Sequence, residues 1–242
     1  MERNFMNTLL DTLLSLLYPR RCPVCDGPVK PWNTLVCREC EPAFDYIKPP
    51  RCMKCGKHIG DTEKEYCADC AAHAHLYDSG RALFSYQSVS ASIARFKYHG
   101  RREYAAFYAV CMADALGNFI RFCRADALVP VPLHESRKRR RGYNQAEVLA
   151  RELSVLTGIP VCGDLIGRVK KTVPMKELSV AGRQNNLKKA FKILRYDVKL
   201  NTIIIIDDIY TTGSTIDAMS RELKNAGVER IYFMTLAIGR GM

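Results

Sequence analysis

No stretch of the 242 residues approaches the ~18 consecutive apolar side chains that a membrane-crossing helix requires, so none is expected. Nor is an export signal expected. The opening MERNFMNTLLDTLLSLLYPR breaks its apolar run with Asp11 and ends in Tyr18-Pro19-Arg20 without a small-residue cleavage site. Acid is in short supply: 25 Asp+Glu face 37 Lys+Arg, a net charge of +12. Cysteine is scarce beyond residue 78, where only Cys111, Cys123 and Cys162 of the chain's 11 occur. The rest of the composition is ordinary. With 48% hydrophobic and 26% charged residues, a disordered or collagen-like chain is excluded and a sizeable core can be buried.

Charge and cysteine change at the same place. Residues 1–80 carry ten Lys/Arg and eleven Asp/Glu, a net of −1, whereas 81–242 carry twenty-seven and fourteen, a net of +13. The other eight cysteines all lie within residues 22–70. These shifts predict three parts: an amphipathic helix over 1–20, a cysteine module over 21–78 and a basic domain over 79–242. In the first part Phe5, Leu9, Leu10, Leu13, Leu14, Leu16 and Leu17 line one broad helical face. Packing on the body of the protein is the plain use of that face. Contact with a membrane surface or a partner is the alternative, because Arg20 and Arg21 follow it.

The eight cysteines fall as four C-x-x-C pairs, Cys22/Cys25, Cys37/Cys40, Cys52/Cys55 and Cys67/Cys70, repeating every fifteen residues. A C-x-x-C turn aims two thiolates at one point, and two such turns complete a tetrahedral zinc site. Disulfides would require export, and a redox C-x-x-C does not come in four evenly spaced copies. Two structural zinc ions are therefore expected, supplying order that this short, charged segment cannot draw from a core of its own. Glycine follows the first pair (Cys25-Asp26-Gly27) and the third (Cys55-Gly56), where a knuckle turn takes positive φ. That alternation favours two sequential ribbons, Cys22–Cys40 and Cys52–Cys70, over cross-bracing. His58, His73 and His75 are expected as surface residues, since eight sulfurs already fill two sites. Eight thiolates and two Zn²⁺ add a net −4, so anion binding is expected in the other half.

The basic domain alternates strands and helices. Strands are expected at 81–87, 125–132, 202–206 and 231–238, and helices at 88–100, about 103–123, 144–157, 179–190 and 214–225. Such alternation with apolar strands predicts an α/β doubly wound parallel sheet, whose ligands sit beyond the carboxyl ends of the strands. One segment stands there: Ile203-Ile204-Ile205-Ile206-Asp207-Asp208-Ile209-Tyr210-Thr211-Thr212-Gly213-Ser214-Thr215. The strand delivers two carboxylates to the sheet edge. The turn that follows opens a helix whose backbone N–H groups and hydroxyls form a cup for a phosphate monoester. Carboxylates just before such a cup accept hydrogen bonds from the vicinal hydroxyls of an attached sugar, so a ribose 5-phosphate fits the pattern.

Two basic runs complete the reading. Arg137-Lys138-Arg139-Arg140-Arg141 is followed by Gly142 and Tyr143, and Arg95 to Arg102 interleaves cations with Phe96 and Tyr98. Each run either contacts a pyrophosphate or single-stranded DNA, with bases stacked on Phe96, Tyr98 or Tyr143, or is a solvated face with its aromatics turned inward. Phe96 is expected in the core, while Lys97 and Arg101, four apart, share one polar face.

The Asp207–Thr215 segment resembles the phosphoribosyl-pyrophosphate (PRPP) motif of type I phosphoribosyltransferases, departing at Tyr210, where a small aliphatic residue is usual. Val131-Pro132-Leu133-His134, Arg137, Arg141-Gly142-Tyr143-Asn144-Gln145-Ala146-Glu147, Leu149-Ala150, Leu178-Ser179, Arg183, Asn186-Leu187 and Ala190-Phe191 resemble the competence protein F (ComF) family; Met175 stands where that group usually has Gln. The resemblance implies a double zinc ribbon before a type I phosphoribosyltransferase-like sheet. It implies Mg²⁺·PRPP at the site, with Asp207 and Asp208 at the ribose hydroxyls and Thr211, Thr212, Gly213, Ser214 and Thr215 around the 5′-phosphate. Lys97, Arg101, Arg137, Arg139, Arg140, Arg141 and Arg183 are the expected contacts to pyrophosphate or nucleic acid. It further implies a cytoplasmic role in taking up single-stranded DNA, at the inner membrane face and beside other uptake proteins. No residue selects an acceptor base, so turnover as a phosphoribosyltransferase stays open.

Overall fold

Four consecutive isoleucines, Ile203 to Ile206, have no exposed surface at all, and the architecture is built around them. The computed structural model of the protein describes residues 19–31, 33–169, 190–195 and 199–239. The helices expected over 1–20 and 179–190 lie outside the described residues except for Pro19, Arg20 and Ala190, which are not helical; Met175 and Arg183 lie outside them too. Strand β5 (Thr202–Tyr210) runs parallel between β6 (Arg230–Ile238) and β2 (Ala127–Pro130), and β1 (Ser79–Ser85) pairs parallel with the outer side of β6. The order is β1-β6-β5-β2. Side chains alternate across a strand, so the isoleucines divide between two cores. Ile204 and Ile206 join Val89, Ile93 and Phe96 of α2 (Tyr86–Tyr98), Tyr104 and Tyr108 of α3 (Tyr104–Ala115), and Leu149 and Leu153 of α6 (Gln145–Thr157). Ile203 and Ile205 join Met219 and Leu223 of α7 (Ser214–Asn225) and Phe233 of β6. Both faces are covered, as an all-parallel sheet requires.

The helix expected over about 103–123 is two helices, α3 and α4 (Gly117–Cys123), bent by 75° where Leu116 meets Gly117. No single helix among the described residues is long and apolar enough to cross a membrane. The basic run is itself helical, α5 (Glu135–Arg141), capped by the His134 side chain accepting from the Ser136 N–H and closed by Gly142 in left-handed conformation. A two-stranded antiparallel ladder, β3 (Ile166–Arg168) with β4 (Phe191–Ile193), was not foreseen from the sequence.

The cysteine module straddles one edge of the sheet. The first ribbon contributes Cys22, Val29, Val36 and Cys37 to the core beneath α2 and α3. The second contributes Cys52, Cys55, Ile59 and Cys67 to the opposite core, beside α7. It carries the short helix α1 (Ala68–Ala72). Between the ribbons the chain runs along β1: the Ile47 N–H donates to Leu83 O (3.0 Å) and the Ser85 N–H donates to Asp45 O (2.9 Å). The rings of Phe44 and Phe84 stack with centroids 4.9 Å apart. A strand edge that would otherwise expose its amides is thus capped.

Candidate functional site

Past Ile206, β5 carries Asp207 and Asp208 to the carboxyl end of the sheet, where successive side chains leave on opposite sides. The Asp208 carboxylate meets Lys97 Nζ at 2.9 Å, from the last turn of α2, with both side chains only 15% exposed. The Asp208 N–H donates to Asp207 Oδ1 (2.8 Å). Burial, and next the negative charge of Asp208, push the Asp207 carboxyl up to about 7, against the pull of Lys97 and Arg168. A carboxyl raised in the folded state holds its proton where the unfolded chain has lost it. Stability therefore falls as pH rises from about 4 to about 7, and the carboxylate available to a sugar hydroxyl or a cation is present only above that range.

The segment after the carboxylates forms a concavity lined by Asp207 and residues 209–216. Thr212 Oγ1 and Ser214 Oγ lie 2.8 Å apart on its rim. Gly213 has φ +77° and starts α7. A Cβ at Gly213 would stand 2.7 Å from Tyr210 Oη and 3.0 Å from His75 Cε1, so the floor of the loop rests on those two side chains. Tyr210, the departure from the usual motif, is buried: its ring stacks on Phe233 at 4.8 Å and its hydroxyl lies 2.7 Å from that of Tyr77.

The expected cations separate into three groups. Lys97 reaches the carboxylates. Arg101 instead forms a bidentate pair with Asp26 on the first ribbon (2.7 and 3.0 Å), where the Tyr104 hydroxyl also donates (2.7 Å). The Arg101 hydrogen bond leads in holding the Asp26 carboxyl down at about 2. Lys97 and Arg101 thus serve different partners. On α5, Arg141 lies over the exposed Tyr98 ring (4.7 Å) and donates to its hydroxyl (3.1 Å) and to Gln145 Oε1 (2.9 Å). Arg137 is half-buried, and its guanidinium is disfavoured first by burial and next by Arg141. Lys138, Arg139 and Arg140 are exposed and have no partner among the described residues. Of the aromatics considered for stacking, Phe96 is fully buried, as expected; Tyr143 is buried too, donating to Phe96 O with Arg102 over its ring at 4.6 Å. Of these three, only Tyr98 offers a face at the surface.

Two participants were missed from the sequence. Arg168 stands over Phe191 (5.3 Å) close enough to Asp207 to feel its charge, and burial lowers its guanidinium to about 10. A three-residue strand has no readable period, so nothing in the sequence announced it. His75, expected at the surface, has a side chain only 5% exposed and lies under the loop with Nδ1 2.7 Å from Asp217 Oδ2.

The cysteines gather as Cys22, Cys25, Cys37, Cys40 and as Cys52, Cys55, Cys67, Cys70, with the four sulfurs of each set within 4.8 Å of one another. That spacing accommodates four Zn–S bonds of about 2.3 Å, and the grouping is sequential rather than cross-braced. The knuckle positions of positive φ are Asp26 (59°) and Gly56 (74°), so Asp26 rather than Gly27 takes the left-handed turn of the first ribbon. An aspartate there tolerates the conformation and frees its carboxylate to dock on Arg101 and Tyr104.

A family model described as a double zinc ribbon domain matches residues 13–71, and one described as a phosphoribosyl transferase domain matches residues 129–241. Competence protein F of Haemophilus influenzae is 30% identical over 224 residues, covering 90% of this chain and 96% of that protein. The chain belongs to the competence protein F (ComF) family. Other relatives include the DNA utilization protein YhgH of Salmonella typhi, 28% identical over 229 residues (91% of this chain, 98% of that one). Competence protein ComFC of Streptococcus pneumoniae is 26% identical over 212 residues (84% and 88%). Among solved structures, a purine phosphoribosyltransferase from Pyrococcus horikoshii Ot3 matches with a TM-score of 0.33 and 19% identity, covering 55% of this chain and 84% of that one.

Proposed function

We propose that this ComF-family chain handles single-stranded DNA during uptake and carries a site for Mg²⁺·PRPP or a related ribose phosphate. The observation that carries the reading is one juxtaposition. Asp207, Asp208 and the Thr211–Thr215 cup stand at the carboxyl end of the sheet, with Lys97 and Arg168 beside the carboxylates and Arg137 close enough to Arg168 for the two charges to interact. Cup hydroxyls and N–H groups donate to a 5′-phosphate, and the carboxylates accept from ribose hydroxyls. Mg²⁺ bound with PRPP would neutralise its diphosphate, and the carboxylate oxygens of Asp207 and Asp208 are the hard donors here that suit it. Zinc has a structural part. A cytoplasmic location beside the inner membrane face and the other uptake proteins suits such a role.

DNA is assigned to α5 because Lys138, Arg139 and Arg140 are exposed without partners among the described residues, while Arg141 holds the exposed Tyr98 ring beside them. Phosphates then track the cations and a base stacks on Tyr98. The test is fluorescence titration of an oligothymidylate over a salt series. Affinity falls steeply with salt, and the Arg139→Ser, Arg140→Ser, Arg141→Ser variant binds more weakly with a slope reduced by roughly two. Affinity independent of salt, or a variant that binds like the parent, refutes the assignment.

Turnover of PRPP is the second reading, favoured by Lys97 and Arg168 near the carboxylates, where a departing pyrophosphate would need positive charge. It requires pyrophosphate release with some acceptor, lost in Asp208→Asn.

A further inference from the structure

The segment joining the second ribbon to the sheet passes directly under the phosphate loop. His75 Nδ1 lies 2.7 Å from Asp217 Oδ2, and the Leu76 N–H donates to Asp217 Oδ1 at 2.8 Å. At the next residue, the Tyr77 hydroxyl meets that of Tyr210 at 2.7 Å. The ring of His75 stacks on Tyr77 (4.9 Å), and Tyr77 packs edge-on against Phe233 (4.9 Å), which also carries Tyr210. Tyr77 is 1% exposed, and Lys54 of the ribbon reaches over its ring at 5.2 Å. Gly213, the one glycine of the cup, therefore sits on a floor made jointly by the loop's own Tyr210 and by His75.

Asp217 makes this contact more than packing. It belongs to the first turn of α7, the helix whose N-terminus forms the cup. An unengaged carboxylate there is attracted to the N–H groups that a phosphate must occupy, and it repels the phosphate itself. His75 and the Leu76 amide take up both of its oxygens and hold it on the far side of the loop. Asp217 accepts, so the His75 Nδ1 carries the proton.

We infer that His75 and Tyr77, which lie outside the sheet domain's own motif, are positioning residues for the phosphate cup: Tyr77 fixes Tyr210 beneath Gly213, and His75 removes Asp217 as an internal competitor for the anion. The inference rests on the reading of residues 211–215 as a phosphate site, and it extends that site into the linker of the zinc module.

The experiment uses the full zinc-loaded chain and two probes, ribose 5-phosphate by calorimetry and an oligothymidylate by fluorescence. Tyr77→Phe removes only a hydroxyl, His75→Ala frees Asp217, and His75→Asn returns a donor at the Nδ1 position. Ribose 5-phosphate affinity is expected to fall by about tenfold in Tyr77→Phe and by at least that in His75→Ala. It recovers most of the way in His75→Asn. Oligothymidylate affinity, zinc content and melting temperature stay close to the parent's in Tyr77→Phe and His75→Asn, a split that general loss of structure would not produce. Equal ribose 5-phosphate binding by all four proteins overturns the inference alone. Absence of binding by the well-folded parent overturns the phosphate site, and the inference with it.

Discussion

Stripping zinc from the chain is expected to unfasten the β1 edge of the sheet together with the ribbons. Structural zinc sites supply folding free energy of order 10 kcal/mol each, and the thiolates left behind repel one another. Here the loss does not stay local, because the two ribbons grip opposite faces of the same edge. The Gly80 N–H donates to Lys54 O (2.8 Å) and the Ser85 N–H to Asp45 O (2.9 Å), so two outward amides of β1 are satisfied only by the module. Leu83 and Phe84 are 1% and 0% exposed, and Phe44 packs on the latter. Hydrogen exchange on the chelated protein should show the Gly80 and Ser85 amides exchanging freely, with the melting temperature sharply lowered. The inner amides of β5 should stay protected. Unchanged protection of Gly80 and Ser85 after complete zinc removal would mean that the module holds this edge without its metal.

Gly213→Ala is expected to abolish ribose-phosphate binding, by roughly a hundredfold or more, while leaving the protein folded. Two costs coincide. The φ of +77° costs an L-residue about 1–2 kcal/mol. The added Cβ would stand 2.7 Å from Tyr210 Oη, a contact of the overpacked kind that costs about 1–3 kcal/mol. The loop relieves both by moving, and a shifted cup no longer converges its donors on one anion. Gly227→Ala separates the two terms, since Gly227 has φ +97° and nothing within 4 Å of an added Cβ. That variant should lose stability without losing ligand affinity. Normal binding by Gly213→Ala would show that the cup does not depend on this close approach.

The sheet and the segment at its carboxyl edge were legible because their signals are local and strong. A run of four isoleucines has one use in a parallel sheet, two carboxylates and a Thr/Gly/Ser turn follow it directly, and the fifteen-residue cysteine period names its own ligand sets. Helix 214–225 was placed to the residue, since Gly213 and Gly227 bound it. What escaped depends on tertiary pairing. Nothing near Arg101 says that its partner is Asp26, seventy-five positions earlier, and nothing near His75 points to Asp217, 142 positions later. Arg168 gains its place from a short antiparallel ladder without a period of its own. The same limit holds for the bend at Leu116–Gly117, where an unbroken apolar pattern concealed a change of direction.

The most direct test of the central claim is calorimetric titration of Mg²⁺·PRPP into the zinc-loaded chain at pH 8 and pH 6, beside the Asp207→Asn, Asp208→Asn double variant. The Asp207 carboxyl is pushed up to about 7, so its ionised form is fully available at the higher pH only. Binding is predicted at pH 8, weaker by roughly tenfold at pH 6, and absent from the double variant. No binding by the folded parent at either pH, or equal binding by the double variant, would contradict the account and leave the Asp207–Thr215 segment as scaffold.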